Sequence, residues 1–152
     1  MKILVCTDGS EQSQKAAEKA AIIAEGCNVH DVALLYVYDE KWDFSSLPRG
    51  ERDEITKKDM ERFLKMQEDH KEKEKKILSD ALKTFENKNI PARTIFKEGH
   101  PSHTIVKAAC DEGFDMIVIG SRGRSGLKKA FLGSVSSAVV QEATNCSVLT
   151  VK

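Results

Sequence analysis

The sequence carries no surplus of either charge: 24 Lys and Arg balance 24 Asp and Glu over 152 residues. Without net charge there is no global field to draw the chain to nucleic acid or anionic lipid, so an anion site has to be built from local groups. The basic residues also form no extended track and no recognised reading element, which argues against nucleic acid as a partner. Long apolar runs are missing too. No segment approaches the roughly 18 apolar residues of a membrane span, and the N-terminal run meets Asp8-Gly9 too soon for a secretion signal. The expectation is a soluble, cytoplasmic protein with no membrane contact. Cysteine is sparse: Cys6, Cys27, Cys110 and Cys146 are far apart, form no CxxC and sit mostly in apolar runs. That pattern fits reduced, buried thiols better than a disulfide framework or a zinc site.

What is present fits one domain over 1–152. Residues 3–7 form a short apolar run without alternation, closed by Asp8-Gly9-Ser10, as expected of a strand covered on both faces. A helix follows, capped by Ser10 or Asp8. Its Ala16, Ala17, Ala20, Ala21 and Ala24 recur at helical spacing, small enough for close approach to a sheet, and Gly26 stops the pattern. Residues 32–37, 90–96, 116–119 and 146–151 supply four further strands. A helix from Pro101 to about Gly113 places Ile105, Val106, Ala109 and Cys110 on one face. Another starts near Gly133-Ser134 and presents Val135, Val139 and Ala143. Strands alternating with helices predict an α/β three-layer sandwich around a five-stranded, mostly parallel sheet.

The outlier is residues 39–87, a charged, partly helical insertion. A loop with Trp42, Phe44, Pro48 and Gly50 precedes a stretch in which acidic and basic residues balance. Pairs such as Glu54 with Lys58, Glu61 with Lys65 and Glu72 with Lys76 suit solvated helix faces, each worth about 0.2–0.5 kcal/mol. Met60, Phe63 and Leu64, then Ile77, Leu78, Ala81, Leu82 and Phe85, form interrupted stripes that could cover the sheet or a partner.

The sharpest feature is Gly120-Ser121-Arg122-Gly123, nine further residues, and Gly133-Ser134. It leaves a buried-strand signal and ends where a helix begins. Glycine at the strand exit permits tight geometry and close ligand approach, and free amides at a helix start donate to phosphate oxygens. Two sets of backbone donors, one at each end of the loop, would close on a single anion. Ser134 and Ser136 add hydroxyls, while Arg122, Arg124, Lys128 and Lys129 add local positive charge. The bland alternative is a glycine turn followed by an ordinary helix start. In a sheet ordered 3-2-1-4-5, Asp8 and the Gly120 loop share the crevice at the topological switch point. There Asp8 would accept from a ribose hydroxyl or hold a phosphate-bound Mg²⁺, or else merely shape the Gly9 turn. The Val37 backbone would meet an adenine edge, with Tyr36 and Tyr38 turned away by strand alternation. Gly99 would permit close approach, and His100 and His103 belong to a helix start rather than a metal site.

These features together resemble the universal stress protein family, in particular its ATP-binding branch. The match runs from Ile3-Leu4-Val5 and Thr7-Asp8-Gly9-Ser10, through Tyr36-Val37 and Gly99, to the stretch from Asp115 to Gly123 and on to Gly133-Ser134. It covers nearly the whole chain and departs mainly at 39–87. The resemblance implies the order 3-2-1-4-5 with ATP at the carboxyl edge of the sheet. The implied ligand residues are Thr7, Asp8, Val37, Gly99, Gly120, Arg122, Gly123, Arg124, Gly133, Ser134, Val135 and Ser136, with Asp8 also toward Mg²⁺. It further implies a homodimer through residues 146–151 and a stress-response role exercised through unidentified protein partners. Two alternatives stand beside an ATP-binding regulator. One is a slow Mg-dependent ATPase, for which no dedicated general base is evident beside the loop. The other is a nucleotide-independent dimeric interaction module built on the insertion.

Overall fold

The computed structural model of the chain describes residues 1–38, 57–123 and 132–152. The elements, in order, are β1 (Lys2–Cys6), α1 (Glu11–Gly26), β2 (Asp31–Tyr38), α2 (Lys57–Glu86), β3 (Ala92–Glu98), α3 (Pro101–Glu112), β4 (Met116–Gly120), α4 (Ser134–Glu142) and β5 (Ser147–Val151). All strand pairings are parallel, in the order β3-β2-β1-β4-β5. The expected α/β sandwich is therefore observed, with strand and helix ends within a few residues of those read from the sequence.

Alternation along each strand divides the core into two layers. Ile3, Val5, Val32, Leu34, Tyr36 and Val118 face α1 and α2, packing with the α1 alanines and with Leu78 and Phe85 of α2. Leu4, Cys6, Ala33, Leu35, Ile117 and Ile119 face α3 and α4, against Ile105, Ala108, Ala109 and Val139. Because both faces are covered, the strands read as unbroken apolar runs. Val37 lies on the second side, whereas Tyr36 and Tyr38 lie on the first and stack on Phe96, as the alternation predicts.

The register positions the site. Cys6 lies opposite both Leu35 and Ile119, so residues 7–8, 36–37 and 120–121 stand at one level at the carboxyl edge of the sheet, where β1 ends while β2 runs on to Tyr38 beside β3. The helices after β1 and β4 pack on opposite faces, and this opens the crevice between them.

Among the described residues of the insertion, Lys57–Glu86 form a helix of 30 residues. Leu78 and Phe85 are buried with Ile77, Ala81 and Leu82 packed beside them, so this stripe covers the sheet. Leu64, by contrast, is 55% exposed. Glu74, hidden in the charge run, is buried and accepts from the Tyr36 hydroxyl at 3.2 Å, with His70 Nδ1 at 3.1 Å. Among the described residues the intrahelical Lys–carboxylate pairs are Glu11–Lys15, Asp80–Lys83 and Lys107–Asp111, and the expected Glu61–Lys65 and Glu72–Lys76 contacts are not made. Trp42, Phe44, Pro48, Gly50, Glu54, Arg124, Lys128, Lys129 and the side chains of Lys58 and Phe63 lie outside the described residues.

The cysteines depart from expectation. All four are free thiols, but only Cys6 is buried; Cys146 is half-buried, and Cys27 and Cys110 are exposed. Successive helical residues diverge by about 100°, so an apolar run on α3 shows the core only one stripe. That stripe is Ser102, Ile105, Ala108 and Ala109, and it leaves Cys110 outside. Among the described residues no helix is long and apolar enough to cross a membrane.

Phe85 fills space at 0% exposure. Phe85→Ala should therefore cost about 3–5 kcal/mol. The exposed Leu64→Ala should stay within about 0.5 kcal/mol. Urea unfolding of the two variants measures the contrast.

Candidate functional site

The turn after β1 is built from short polar side chains that bond one another. Asp8 Oδ1 accepts from the Ser10 amide at 3.0 Å and from the Ser10 hydroxyl at 2.6 Å. Ser10 in turn caps α1 by accepting from the Ser13 amide. The Ser13 hydroxyl donates to the Ser10 carbonyl and lies 3.3 Å from Thr7 Oγ1. Asp8 is thereby held over the carboxyl edge of β1; of the two expected caps Ser10 is the one that caps α1, and Asp8 shapes the turn through its bonds to Ser10.

The second part comes from β4 and α4. Ser121 leaves the strand with its amide donating to the Val151 carbonyl of β5 at 2.6 Å. Its own carbonyl accepts the Gly133 amide at 2.7 Å and the Ser136 hydroxyl at 2.9 Å. The two ends of the 120–134 segment are thus clasped together. The Gly133 amide and the Ser136 hydroxyl are spent on the clasp rather than left as separate donors. Gly133 is the N-cap of α4 and among the described residues no side chain caps that helix, so its first-turn amides, on Ser134, Val135 and Ser136, form the donor set at this end.

The glycines act by lacking a Cβ, not through unusual dihedrals, since Gly120, Gly123 and Gly133 all avoid positive φ. A Cβ on Gly120 would lie 2.8 Å from the Gln12 carbonyl carbon and 2.9 Å from the Ser13 nitrogen, so this glycine lets β4 touch the α1 backbone. One on Gly123 would lie 2.7 Å from Asp8 Oδ2. This places the exit of the loop directly against the second carboxylate oxygen of Asp8. One on Gly133 would reach only 3.4 Å from Arg122 Cα and the Ser121 carbonyl oxygen, a tight but adjustable contact.

Between these parts lies a cleft of about 240 Å³. Thr7, Asp8, Val37, Gly120, Arg122, Gly123, Gly133, Ser134, Val135 and Ser136 line it, so the structure gathers these predicted residues at one place. Gly99 does not line it; at φ +139° its missing side chain makes room for Thr104. Arg124 is outside the described residues. The sequence reading missed Leu35, Pro101, Ile105 and Ile119, which form an apolar wall, and Cys6 and Ser13 on the floor. The signal for Pro101 and Ile105 was available, since both belong to the first turns of a helix that begins at the carboxyl edge. Burial, with the Asp8 carboxylate adding to it, pushes the Cys6 thiol far up from its ordinary range, so it stays protonated and is no nucleophile.

The sequence matches the model of the Universal stress protein family over residues 1–152. The chain belongs to the universal stress protein family. Among its relatives, universal stress protein YxiE of Bacillus subtilis is 34% identical over 159 residues, covering 99% of this chain and 98% of that one. Universal stress protein MJ0577 of Methanocaldococcus jannaschii is 34% identical over 156 residues, covering 99% and 94%. The solved structure of MJ0577 superposes with a TM-score of 0.70 at 32% identity, covering 99% of this chain and 94% of that chain. A universal stress protein from Archaeoglobus fulgidus, solved in complex with dAMP, shares the fold at a TM-score of 0.63 and 23% identity, covering 100% and 98%.

Two substitutions separate the glycine roles of this universal stress protein. Gly120→Ala meets backbone of α1 that cannot retreat and should destabilise by roughly 1–3 kcal/mol. Gly123→Ala meets only the end of a side chain, so it should leave unfolding nearly unchanged while turning the Asp8 carboxylate. Urea titration reads the first effect. The chemical shift of the Ser10 amide, which donates to Asp8, reads the second.

Proposed function

We propose that the cleft binds an adenine nucleotide, ATP with Mg²⁺, and that the protein is a regulator whose occupied state is read by protein partners in a stress response. The observation that carries this reading is the Ser121 clasp. It sets the uncapped first turn of α4 beside the loop exit that touches Asp8, so amide donors and a carboxylate face one small cleft. Amides at a helix start are complementary to phosphate oxygens. In this reading the amides of Ser134, Val135 and Ser136 and the Gly123 backbone hold the phosphates, and Arg122 and Arg124 compensate their charge. The adenine lies against the Val37 backbone and the apolar wall of Leu35, Pro101 and Ile105. The family's fold takes an adenine nucleotide in the dAMP complex of the A. fulgidus member.

Asp8 meets a ribose hydroxyl or the cation. Among the described residues there is no group of three His, Cys, Asp or Glu able to hold a metal. Mg²⁺ is commonly held by one or two carboxylates together with substrate phosphates, and a single Asp8 suits a cation that enters with the nucleotide.

Pairing of two copies through residues 146–151 forms part of the same proposal. Among the described residues no strand pairs with the outer edge of β3 or of β5, but β3 carries Arg93, Lys97 and Glu98, whereas β5 reads Ser-Val-Leu-Thr-Val without charge. An uncharged edge is the one that calls for a partner.

Ser134→Pro tests the phosphate assignment. Proline suits the first helical position, and Gly133 already has the extended conformation that a following proline requires, so only the amide and hydroxyl are lost. Calorimetric titration of nucleotide-stripped protein with Mg-ATP should saturate, and the variant should bind at least about tenfold more weakly with unchanged thermal stability. Absence of saturable binding by the parent protein, or equal affinity of the variant, would overturn the reading.

A further inference from the structure

We propose that Ile77 of α2 is a positioning residue for Asp8, acting through the Gly9 turn, so that the long insertion helix is part of the nucleotide site. This rests on the nucleotide reading above and extends it to a residue outside the cleft lining.

Gly9 has φ +79°, and a Cβ built on it would lie 2.8 Å from Ile77 Cδ1, 3.0 Å from Cγ1 and 3.3 Å from Cγ2. The Ile77 side chain therefore occupies the space directly against the Gly9 Cα. On the other side of the same turn, Thr7 Oγ1 accepts from the Gly9 amide at 3.4 Å, and Asp8 Oδ1 accepts from both donors of Ser10. Thr7 and Asp8 line the cleft, so the turn is held between the site and α2. A left-handed residue flanked by short hydrogen-bonding side chains has few ways to adjust. A shift of the atom packed on Gly9 is passed to the neighbouring Asp8.

The helix is itself fixed at this height. One turn before Ile77, the buried Glu74 accepts from Tyr36 of β2, and one residue after it Leu78 enters the core, followed by Phe85. These contacts set the rotation and register of α2 against the sheet and aim Ile77 at the turn.

Two measurements test this, one with and one without nucleotide. In a double-mutant cycle read by Mg-ATP titration, Ile77→Ala should weaken binding roughly three- to thirtyfold in the parent protein. In the Asp8→Ala background it should change affinity less than about twofold, because nothing is left to position. Ile77→Val, which removes only Cδ1, should give a smaller effect in the same direction and serves if the alanine variant folds poorly. In nucleotide-free protein, hydrogen exchange of the Ser10 amide, which donates to Asp8, should speed up in both Ile77 variants while core amides of β1 and β4 stay protected. Equal weakening in both backgrounds, or unchanged affinity and unchanged Ser10 exchange, would overturn the proposal. Faster Ser10 exchange in the Ile77 variants, with no Mg-ATP binding by the parent protein, would keep the mechanical link and remove the nucleotide reading.

Discussion

The Ser121 carbonyl accepts two hydrogen bonds from the far end of a loop that begins at its own residue, and the cleft takes its shape from both. A carbonyl oxygen has two lone pairs, and here the Gly133 amide and the Ser136 hydroxyl meet it. Ser121 and Ser136 are 3% and 2% exposed, so neither group has water as a substitute. Leaving such a group unpaired costs about 1–3 kcal/mol, which is why the clasp is an obligatory junction. It makes the start of α4 a fixed wall instead of the end of a long excursion.

That junction has a precondition in the packing of the opposite layer. The alanines of α1 let the helix settle against the sheet, and Gly120 lets the last residue of β4 come within contact of Gln12 and Ser13. Larger side chains on α1 would lift it away and carry Ser10 with it. Asp8 depends on Ser10 for its orientation, so small residues in the core and the placement of a carboxylate at the edge are one constraint seen at two places.

Much of this was legible in the sequence because strand runs, helix stripes and breakers agreed on the same boundaries. The division of Tyr36 and Tyr38 from Val37 follows from period-2 geometry alone. Less legible were features set by tertiary contact. Glycine spacing announced a special loop, but a sequence does not distinguish a residue needing left-handed dihedrals from one needing an absent Cβ, and Gly120 and Gly123 are of the second kind. Ser136 read as a donor to a ligand, whereas its proton serves the loop. Glu74 vanished among solvated charges although it falls on the inward stripe three and four residues before Ile77 and Leu78, where a carboxylate has to find a donor. Cys110 shows the reverse error, in which an apolar neighbourhood along the chain is not one in space.

The hydrogen bond from the Ser121 amide to the Val151 carbonyl joins the first residue of the loop to the last residue of the outermost strand. Load applied along β5 therefore arrives at Ser121 through its amide, and through the carbonyl of that same residue it reaches the start of α4. If the crevice is occupied as proposed, tension on β5 and the ligand meet at one residue, and any free-energy coupling between them has to be felt equally from either end.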